Sequence, residues 1–192
     1  MNDICIRNIK IEDLDEYYLL NHPDREHHNF NGPYFGRITE NELREEIQSI
    51  ITRLENKESN PFGNRKIIAN ADTDEIIGTV NWYWKSKETD WLEIGIVIFN
   101  ENNWNKGIGT KTLRKWINQV FDDHPEIVRI GLSTWSGNVG MCKVAQKVGF
   151  KQEACYRKAR IVDNKYYDSV SYGILREEWS KAIPFLQDSP FL

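Results

Sequence analysis

The sequence predicts an α/β (α+β) fold in which a mixed, mostly antiparallel central sheet of about seven strands is flanked by helices. The hydrophobic patterns follow the order β-α-α-β-β-β-α-β-α-β-β along the chain. The strands in the middle are joined by short polar links, as in an antiparallel meander. A strand–helix–strand unit comes next, and such a unit joins parallel strands. The sheet is therefore expected to be mixed.

The first half of the chain contributes three strands and two helices. Residues 4–9 alternate apolar and polar side chains, which predicts a strand, and residues 11–18 have helical spacing. Residues 21–36 are rich in His, Asn, Gly and Pro and predict a loop. Thr39 and Glu42 form a T-x-x-E capping box at the start of the second helix, which is expected to end near position 57. The two strands that follow, at positions 67–68 and 75–84, predict a hairpin.

The second half is organised around an almost continuously apolar segment, residues 91–99, which predicts a strand buried on both faces. Helical spacing then runs from position 106 to 121. After a further strand at 128–134, Asn138 is a suitable N-cap and Gly149 a suitable C-cap for a short helix. The last predicted elements are strands at 150–161 and 166–175, joined by a turn at 162–165, and a helix at 176–181 that ends before Pro184.

Composition limits the function classes. The 192 residues are expected to form one domain, residues 1–181, with a short tail at 182–192. A net charge of −4 gives no electrostatic footprint for nucleic acid. The three cysteines and the histidines near position 25 lack metal-ligand spacing, so no metal is expected. The chain has no long apolar run, and we expect no membrane span and a cytoplasmic location.

The junction between the segment 91–99 and the following helix suggests an anion site. A helix N-terminus leaves backbone N–H groups unpaired and carries partial positive charge. Gly107 and Gly109 would let the backbone approach an anion closely, and Lys106 adds a full charge. An ordinary turn that needs glycine explains the same residues, and both interpretations stay open at this point.

Three segments together resemble the GNAT superfamily of acyl-CoA N-acetyltransferases, and more narrowly its RimJ/RimL-type branch. The segment 104–110 is similar to the family's Q/R-x-x-G-x-G/A loop. Asn138 and the helix end at 147–150 resemble the family's asparagine and E-K-x-G-F motif. The segments 157–159, 167–172 and 178–179 resemble the closing hairpin of the RimJ/RimL branch. The order of predicted elements is also similar, from position 4 to about 179.

The resemblance implies acetyl-CoA as the cosubstrate. Its pyrophosphate would lie on the N–H groups of residues 106–110, and its pantetheine arm would pair with the backbone of residues 96–98. Asn138 would lie near the pantetheine, and Cys142 and Lys143 nearer the adenosine. The implied cofactor-binding set is Ile96, Val97, Ile98, Trp104, Asn105, Lys106, Gly107, Ile108, Gly109, Thr110, Asn138, Cys142 and Lys143.

Acetyl transfer needs a base for the amine and a hydrogen-bond donor for the thioester oxygen. Glu93 is the only acid inside the central apolar strand and is the base candidate, although a carboxylate paired with a basic neighbour explains it equally. The backbone N–H of Val97 is the donor candidate. The general acid has no assignment, because Ala145 and Met141 stand where relatives carry tyrosine or serine. Tyr166, Tyr167 and Ser136 are alternative acids, although a structural role competes with a catalytic one for each of them.

The acceptor is expected to be a primary amine. The RimJ/RimL resemblance implies a protein or peptide N-terminus, and related branches imply a small amine such as a polyamine, an aminoglycoside or an amino acid. Tyr34, Tyr83, Tyr166 and Tyr167 are the candidate substrate wall. Alternatively, the loop aromatics close the edge of the core. The resemblance also implies a homodimer. A non-catalytic acyl-CoA-binding sensor is the alternative from another class, because the usual acids are missing.

Overall fold

The computed structural model describes residues 3–187, with side chains up to residue 181. It contains one seven-stranded sheet with the strand order β1-β2-β3-β4-β5-β7-β6. The strands are β1 (Ile4–Arg7), β2 (Arg65–Asn70), β3 (Ile76–Ser86), β4 (Trp91–Ile98), β5 (Arg129–Trp135), β6 (Lys151–Val162) and β7 (Lys165–Leu175). The helices are α1 (Leu14–Leu20), α2 (Glu40–Glu55), α3 (Ile108–Asp123), α4 (Val139–Lys147) and α5 (Arg176–Gln187). The predicted mixed, mostly antiparallel fold is therefore confirmed.

The sheet combines antiparallel strand pairs with the parallel pair β4–β5. β1 pairs with β2, β2 with β3, β5 with β7 and β6 with β7, all antiparallel. β4 and β5 are parallel, and their register pairs Leu92 with Ile130 and Glu93 with Gly131. The connection from β4 to β5 contains α3, as a parallel crossover requires.

The chain forms two compact units, of which the first comprises Met1–Asn81 and Ile96–Trp104. Its core is built from apolar residues of α1, α2, β2 and β3. Tyr17 of α1 is buried there and packs edge-on against Phe62 and Phe99. Its hydroxyl donates to Glu46 and accepts a hydrogen bond from Arg65. The other buried apolar members are Ile9, Leu14, Leu43, Ile50, Ile67, Ala69 and Ile76.

The second unit comprises Trp82–Gly95 and Asn105–Leu192. The apolar face of α3 is buried, with Leu113, Trp116 and Ile117 almost fully covered. Arg176, the first residue of α5, closes the end of this helix. Its guanidinium donates to the carbonyl oxygens of Phe121, His124 and Ile127 and stacks on the Phe121 ring. The Phe121 carbonyl lies in the last turn of α3, where intrahelical donors run out, and those of His124 and Ile127 follow the helix.

Several local predictions are confirmed, and one helix end differs. Thr39 Oγ1 accepts from the backbone N–H of Glu42, and the Glu42 carboxylate accepts from the backbone N–H of Thr39, which is the predicted capping box. Gly149 has a positive φ of 97°, as expected of a residue that ends α4. However, α5 runs on to Gln187 past Pro184, so the predicted helix end before this proline is wrong. Residues 188–192 of the predicted tail lie outside the described part.

Between residues 3 and 187, none of the helices combines the length and the apolar character needed to cross a bilayer.

Candidate active site

Glu93 lies at the centre of a polar cluster in the second unit. Its side chain is almost completely buried, with 2% of the residue exposed. The hydroxyl of Tyr83 on β3 donates to Glu93 Oε2 at 2.5 Å, and the hydroxyl of Ser133 on β5 donates to Oε1 at 3.1 Å. Lys85 Nζ is 4.0 Å from Oε1. The structure thus joins the predicted base to one of the predicted wall residues.

The strand register explains why these side chains meet. Alternate residues of a strand share a face, so Tyr83 and Lys85 lie on the same side of β3. Glu93 is paired with Gly131, two residues before Ser133 on β5. A Cβ at Gly131 would stand only 2.9 Å from Glu93 Cγ, so the absence of a side chain there leaves room for the glutamate. Ser133 also lies 3.2 Å from the hydroxyl of Ser171 on β7.

Ser133 and Lys85 are members of this cluster that sequence reasoning missed. For Ser133 the available signal was the parallel alignment of the strands at 91–99 and 128–134, and for Lys85 it was the period-two alternation that puts this residue on the same face as Tyr83. Without a known register, neither residue could be assigned to Glu93.

The N-terminus of α3 has the features expected of an anion site. Its N-cap, Gly107, has a φ of 81° and offers no side-chain cap, and the first turn contains no acidic residue. Asn105 also has a positive φ, 59°, so two left-handed residues turn the chain into the helix. Asn105, Lys106 and Gly107 are exposed. The first backbone N–H groups of α3 have no intrahelical acceptor, which leaves them available to a ligand.

The other predicted backbone segment, residues 96–98, lies in the first unit. The Val97 carbonyl oxygen approaches Gly78 of β3 so closely that a Cβ there would be 2.0 Å away. Trp104 Nε1 donates to the Ile98 carbonyl oxygen at 2.9 Å, and the Trp104 ring packs edge-on against Phe30. The tryptophan that replaces the family's Gln or Arg therefore holds the end of β4. The side chains of residues 96–98 are half-buried.

The predicted residues of α4 have structural partners of their own. Asn138 caps the helix, as predicted, because its side-chain oxygen accepts from the backbone N–H of Met141 at 3.0 Å. Cys142 is half-buried, with its sulfur 3.9 Å from the Trp135 carbonyl oxygen. Burial, and secondarily Cys142, raises the pKa of Tyr172 to about 12, which makes this phenol a poor proton donor. Lys143 is exposed.

The remaining candidate tyrosines have contacts of their own. Tyr34 is half-buried in the first unit, with its ring 4.7 Å from that of Phe35. Tyr166 is exposed near the turn of the β6–β7 hairpin, and Tyr167 packs edge-on against Trp135. Ser136, an alternative acid, accepts a hydrogen bond from the backbone N–H of Asp168, a contact that ties its loop to β7.

The loop at 21–36 buries His27 and His28 and leaves Phe35 exposed. His27 is 3% exposed and packs against His28 and Phe99, whereas Phe35 is 84% exposed. Burial, with a smaller contribution from His28, lowers the pKa of His27 to about 4. Of the three loop aromatics expected to close the edge of the core, Phe30, Tyr34 and Phe35, the structure rules out Phe35, because its side chain is exposed. Within residues 3–187, no three His, Cys, Asp or Glu side chains form a group that could hold a metal ion.

The sequence matches the family model described as the acetyltransferase (GNAT) domain over residues 3–151. The chain belongs to the GNAT acetyltransferase family. The matched region includes the Glu93 cluster, the α3 N-terminus and α4, but it ends at the first residue of β6.

Comparison with a curated relative supports the same family. The chain is 30% identical over 109 residues to the uncharacterized N-acetyltransferase YnaD of Bacillus subtilis (strain 168). The match covers 57% of this chain and spans 62% of the length of YnaD.

Solved GNAT structures share the fold over almost the whole chain. A GNAT-family acetyltransferase from Bacillus anthracis superposes with a TM-score of 0.72 at 21% identity, covering 93% of this chain and 98% of the other. Spermidine N-acetyltransferase from Vibrio cholerae, in complex with CoA and spermine, superposes with a TM-score of 0.69 at 17% identity, covering 92% of this chain and 98% of the other. RimL, a ribosomal L7/L12 alpha-N-protein acetyltransferase in complex with coenzyme A, superposes with a TM-score of 0.66 at 17% identity, covering 90% of this chain and 93% of the other.

Proposed function

We propose that this protein transfers the acetyl group of acetyl-CoA to a primary amine. The observation that carries the proposal is the N-terminus of α3, where the N-cap residue Gly107 provides no side-chain cap, in a chain of the GNAT family. A diphosphate needs several converging donors, and the free N–H groups and positive end of a helix supply them. The exposed Lys106 adds a charge beside these donors.

The family resemblance assigns two backbone segments of this chain to acetyl-CoA. Its pyrophosphate would take the backbone N–H groups of residues 106–110, and its pantetheine arm would pair with the backbone of residues 96–98. Trp104 supports this segment because its indole N–H holds the Ile98 carbonyl oxygen. We assign Asn138, Cys142 and Lys143 to the walls of the cofactor site, as the family resemblance implies.

The chemistry requires a neutral amine, although an alkyl amine is protonated at pH 7. Once deprotonated, the amine nitrogen attacks the thioester carbonyl carbon. The C–N bond forms, the C–S bond breaks and CoA leaves as a thiolate that takes up a proton. Glu93 supplies the base function, supported by its burial and its two hydroxyl partners. The backbone N–H of Val97 remains the proposed donor to the thioester oxygen.

We propose a protein or peptide N-terminus as the acceptor, in line with the RimJ/RimL-type resemblance and the fold shared with RimL. Small amines form the second candidate class, since a spermidine N-acetyltransferase shares the fold to the same degree. Tyr34, Tyr83, Tyr166 and Tyr167 are the proposed wall residues. A cytoplasmic location and a homodimeric state stay predictions.

The test is the release of free thiol from acetyl-CoA with N-terminal peptides, polyamines, aminoglycosides and amino acids as acceptors. Turnover with one class supports the proposal and identifies the acceptor. Tight acetyl-CoA binding without turnover would favour the sensor alternative, and no binding at all would contradict the proposal.

A matched pair of variants tests the anion site. Lys106→Met removes a charge just before the N-cap of α3, and Lys115→Met removes the same charge from the middle of the helix. We expect Lys106→Met to weaken acetyl-CoA binding about tenfold and Lys115→Met to leave it unchanged, because the helix charge acts only near its end. Equal affinities for both variants would count against a diphosphate at Lys106.

A further inference from the structure

The buried Glu93 carboxylate is in contact with two exposed residues. Glu93 itself is 2% exposed, whereas Tyr83 and Ser133, whose hydroxyls donate to its two oxygens, are both exposed. A carboxylate oxygen that accepts one hydroxyl keeps a second lone pair. An ammonium group of the acceptor can therefore donate to the same carboxylate without displacing either hydroxyl, as long as the carboxylate is held in the right orientation.

Ser133 fixes one of the two carboxylate oxygens. Its Oγ lies 3.1 Å from Glu93 Oε1. The strand register brings the two groups together, because β4 and β5 are parallel and Glu93 is the partner of Gly131, two residues before Ser133. Residues two positions apart in a strand face the same side of the sheet, so the serine follows the glycine on the face that Glu93 covers. The backbone register thus sets the place from which Ser133 holds the carboxylate.

Ser171 on β7 orients the Ser133 hydroxyl in turn. The two serines are register partners across β5 and β7, and their hydroxyl oxygens are 3.2 Å apart. A serine hydroxyl has a single hydrogen, and that of Ser133 is donated to Glu93. Ser171 therefore supplies the hydrogen in the contact between the two serines. Hydrogen bonds that follow one another in this way polarise and strengthen each other.

We propose that Ser133 is a positioning residue of the acetyl transfer: its hydroxyl, oriented by Ser171, holds the Glu93 carboxylate where it takes the proton of the acceptor amine. The assignment rests on the proposed function. In that step an N–H bond of the ammonium breaks and an O–H bond forms on Glu93. The electron pair stays on the nitrogen, which then attacks the thioester carbonyl carbon. Ser133 keeps its own hydrogen, so it acts only through Glu93.

The test compares Ser133→Ala, Ser133→Thr, Ser171→Ala, Glu93→Gln and the combination of Glu93→Gln with Ser133→Ala. The acceptor is an amine that the wild type acetylates. For each variant kcat, the KM for the amine, the affinity for acetyl-CoA and the melting temperature are measured. Ser133→Thr is the matched control, because it changes the side chain and keeps the hydroxyl. Since Ser133 is exposed, we expect every Ser133 variant to fold.

We expect Ser133→Ala to lower kcat about tenfold, as the loss of one hydrogen bond to a charged group does, and to leave the affinity for acetyl-CoA unchanged. Ser133→Thr should stay within about threefold of the wild type, because threonine donates the same hydrogen. Ser171→Ala should cost about threefold, because the carboxylate keeps its donor. In the Glu93→Gln background, Ser133→Ala should cost less than about twofold, because the base through which it acts is already absent.

Wild-type kcat in Ser133→Ala would overturn the assignment. An equal loss with and without Glu93 would also overturn it, because Ser133 would then act on the substrate or on the fold. A kcat as low in Ser133→Thr as in Ser133→Ala would show that the hydroxyl is not the group that matters. Wild-type kcat in Glu93→Gln would remove the base, and the assignment with it, while the acetyl transfer would stand. Absence of wild-type turnover with every amine is a different result, because it refutes the acetyl transfer itself.

Discussion

Replacing Gly131 with alanine tests whether the position of Glu93 matters for activity. The two residues are register partners on β5 and β4, so the new methyl group would face the glutamate directly. Its carbon would lie 2.9 Å from Glu93 Cγ and 3.2 Å from Trp91 Nε1. The backbone of Gly131 is not left-handed, so alanine introduces crowding and no conformational strain.

The size of the displacement follows from these distances. Non-bonded carbon atoms prefer a separation of about 3.5 Å or more, so Glu93 must retreat by about 0.6 Å. A shift of that size would lengthen the Ser133 bond from 3.1 Å to beyond hydrogen-bond range. The shorter Tyr83 bond can lengthen and survive. Losing one hydrogen bond to a charged group costs about 1.5–3 kcal/mol, which corresponds to a loss of about tenfold or more in kcat.

The assay is kcat for acetyl transfer, measured beside the free energy of unfolding in urea. Gly173→Ala is the matched control, because Gly173 pairs with Gly131 across β5 and β7. Its methyl group would meet the carboxylate of Glu153, an exposed side chain paired with Arg129, and leave the Glu93 side untouched. We expect Gly173→Ala to keep wild-type kcat. Full activity in Gly131→Ala, or an equal loss in both variants, would refute the reasoning.

Three further perturbations have defined outcomes. Arg176→Met leaves three carbonyl oxygens at the end of α3 without their donor. Urea unfolding should show that the free energy of unfolding falls by about 2–4 kcal/mol. A change below about 0.5 kcal/mol would contradict this role. The pKa of His27 lies below that of an unfolded histidine, so its stabilising contribution is complete above about pH 6.5 and declines as the pH falls to about 4. Urea unfolding between pH 7 and 4 should show that decline and should show less of it in His27→Gln. Trp104→Phe removes the hydrogen-bond donor to the Ile98 carbonyl oxygen but keeps the aromatic contact with Phe30. Calorimetry should then show that acetyl-CoA binds several-fold more weakly. An unchanged affinity would show that Trp104 does not support the cofactor site.

The element order could be predicted because each element carries its own local pattern. The capping box at Thr39, the glycine that ends α4 and the turn between β6 and β7 depend on residues a few positions apart. Short-range steric and hydrogen-bonding preferences decide such features, so they are readable along the chain. The extent of α5 was missed because a proline signals a helix end without enforcing one.

The site was only partly predictable. Glu93 stood out as an acid in an apolar strand, and Tyr83 as one of several aromatic residues, but nothing connected them. Their 2.5 Å contact depends on how β3 lies beside β4, and the Ser133 bond depends on the parallel register of β4 with β5. The burial of His27 likewise depends on the packing of its loop against Phe99, which lies 72 positions later in the chain.

By itself, then, the sequence determined the kinds of elements, their order, the glycine-rich start of α3 and the candidate base. Those properties follow from local backbone preferences and from hydrophobic periodicity. The tertiary structure alone decided that Tyr83 is the exposed partner of a buried Glu93 and that Gly131 makes room for it. A register shift of one residue would turn each of these side chains to the other face of the sheet, and no pattern within a single strand specifies its neighbour's register.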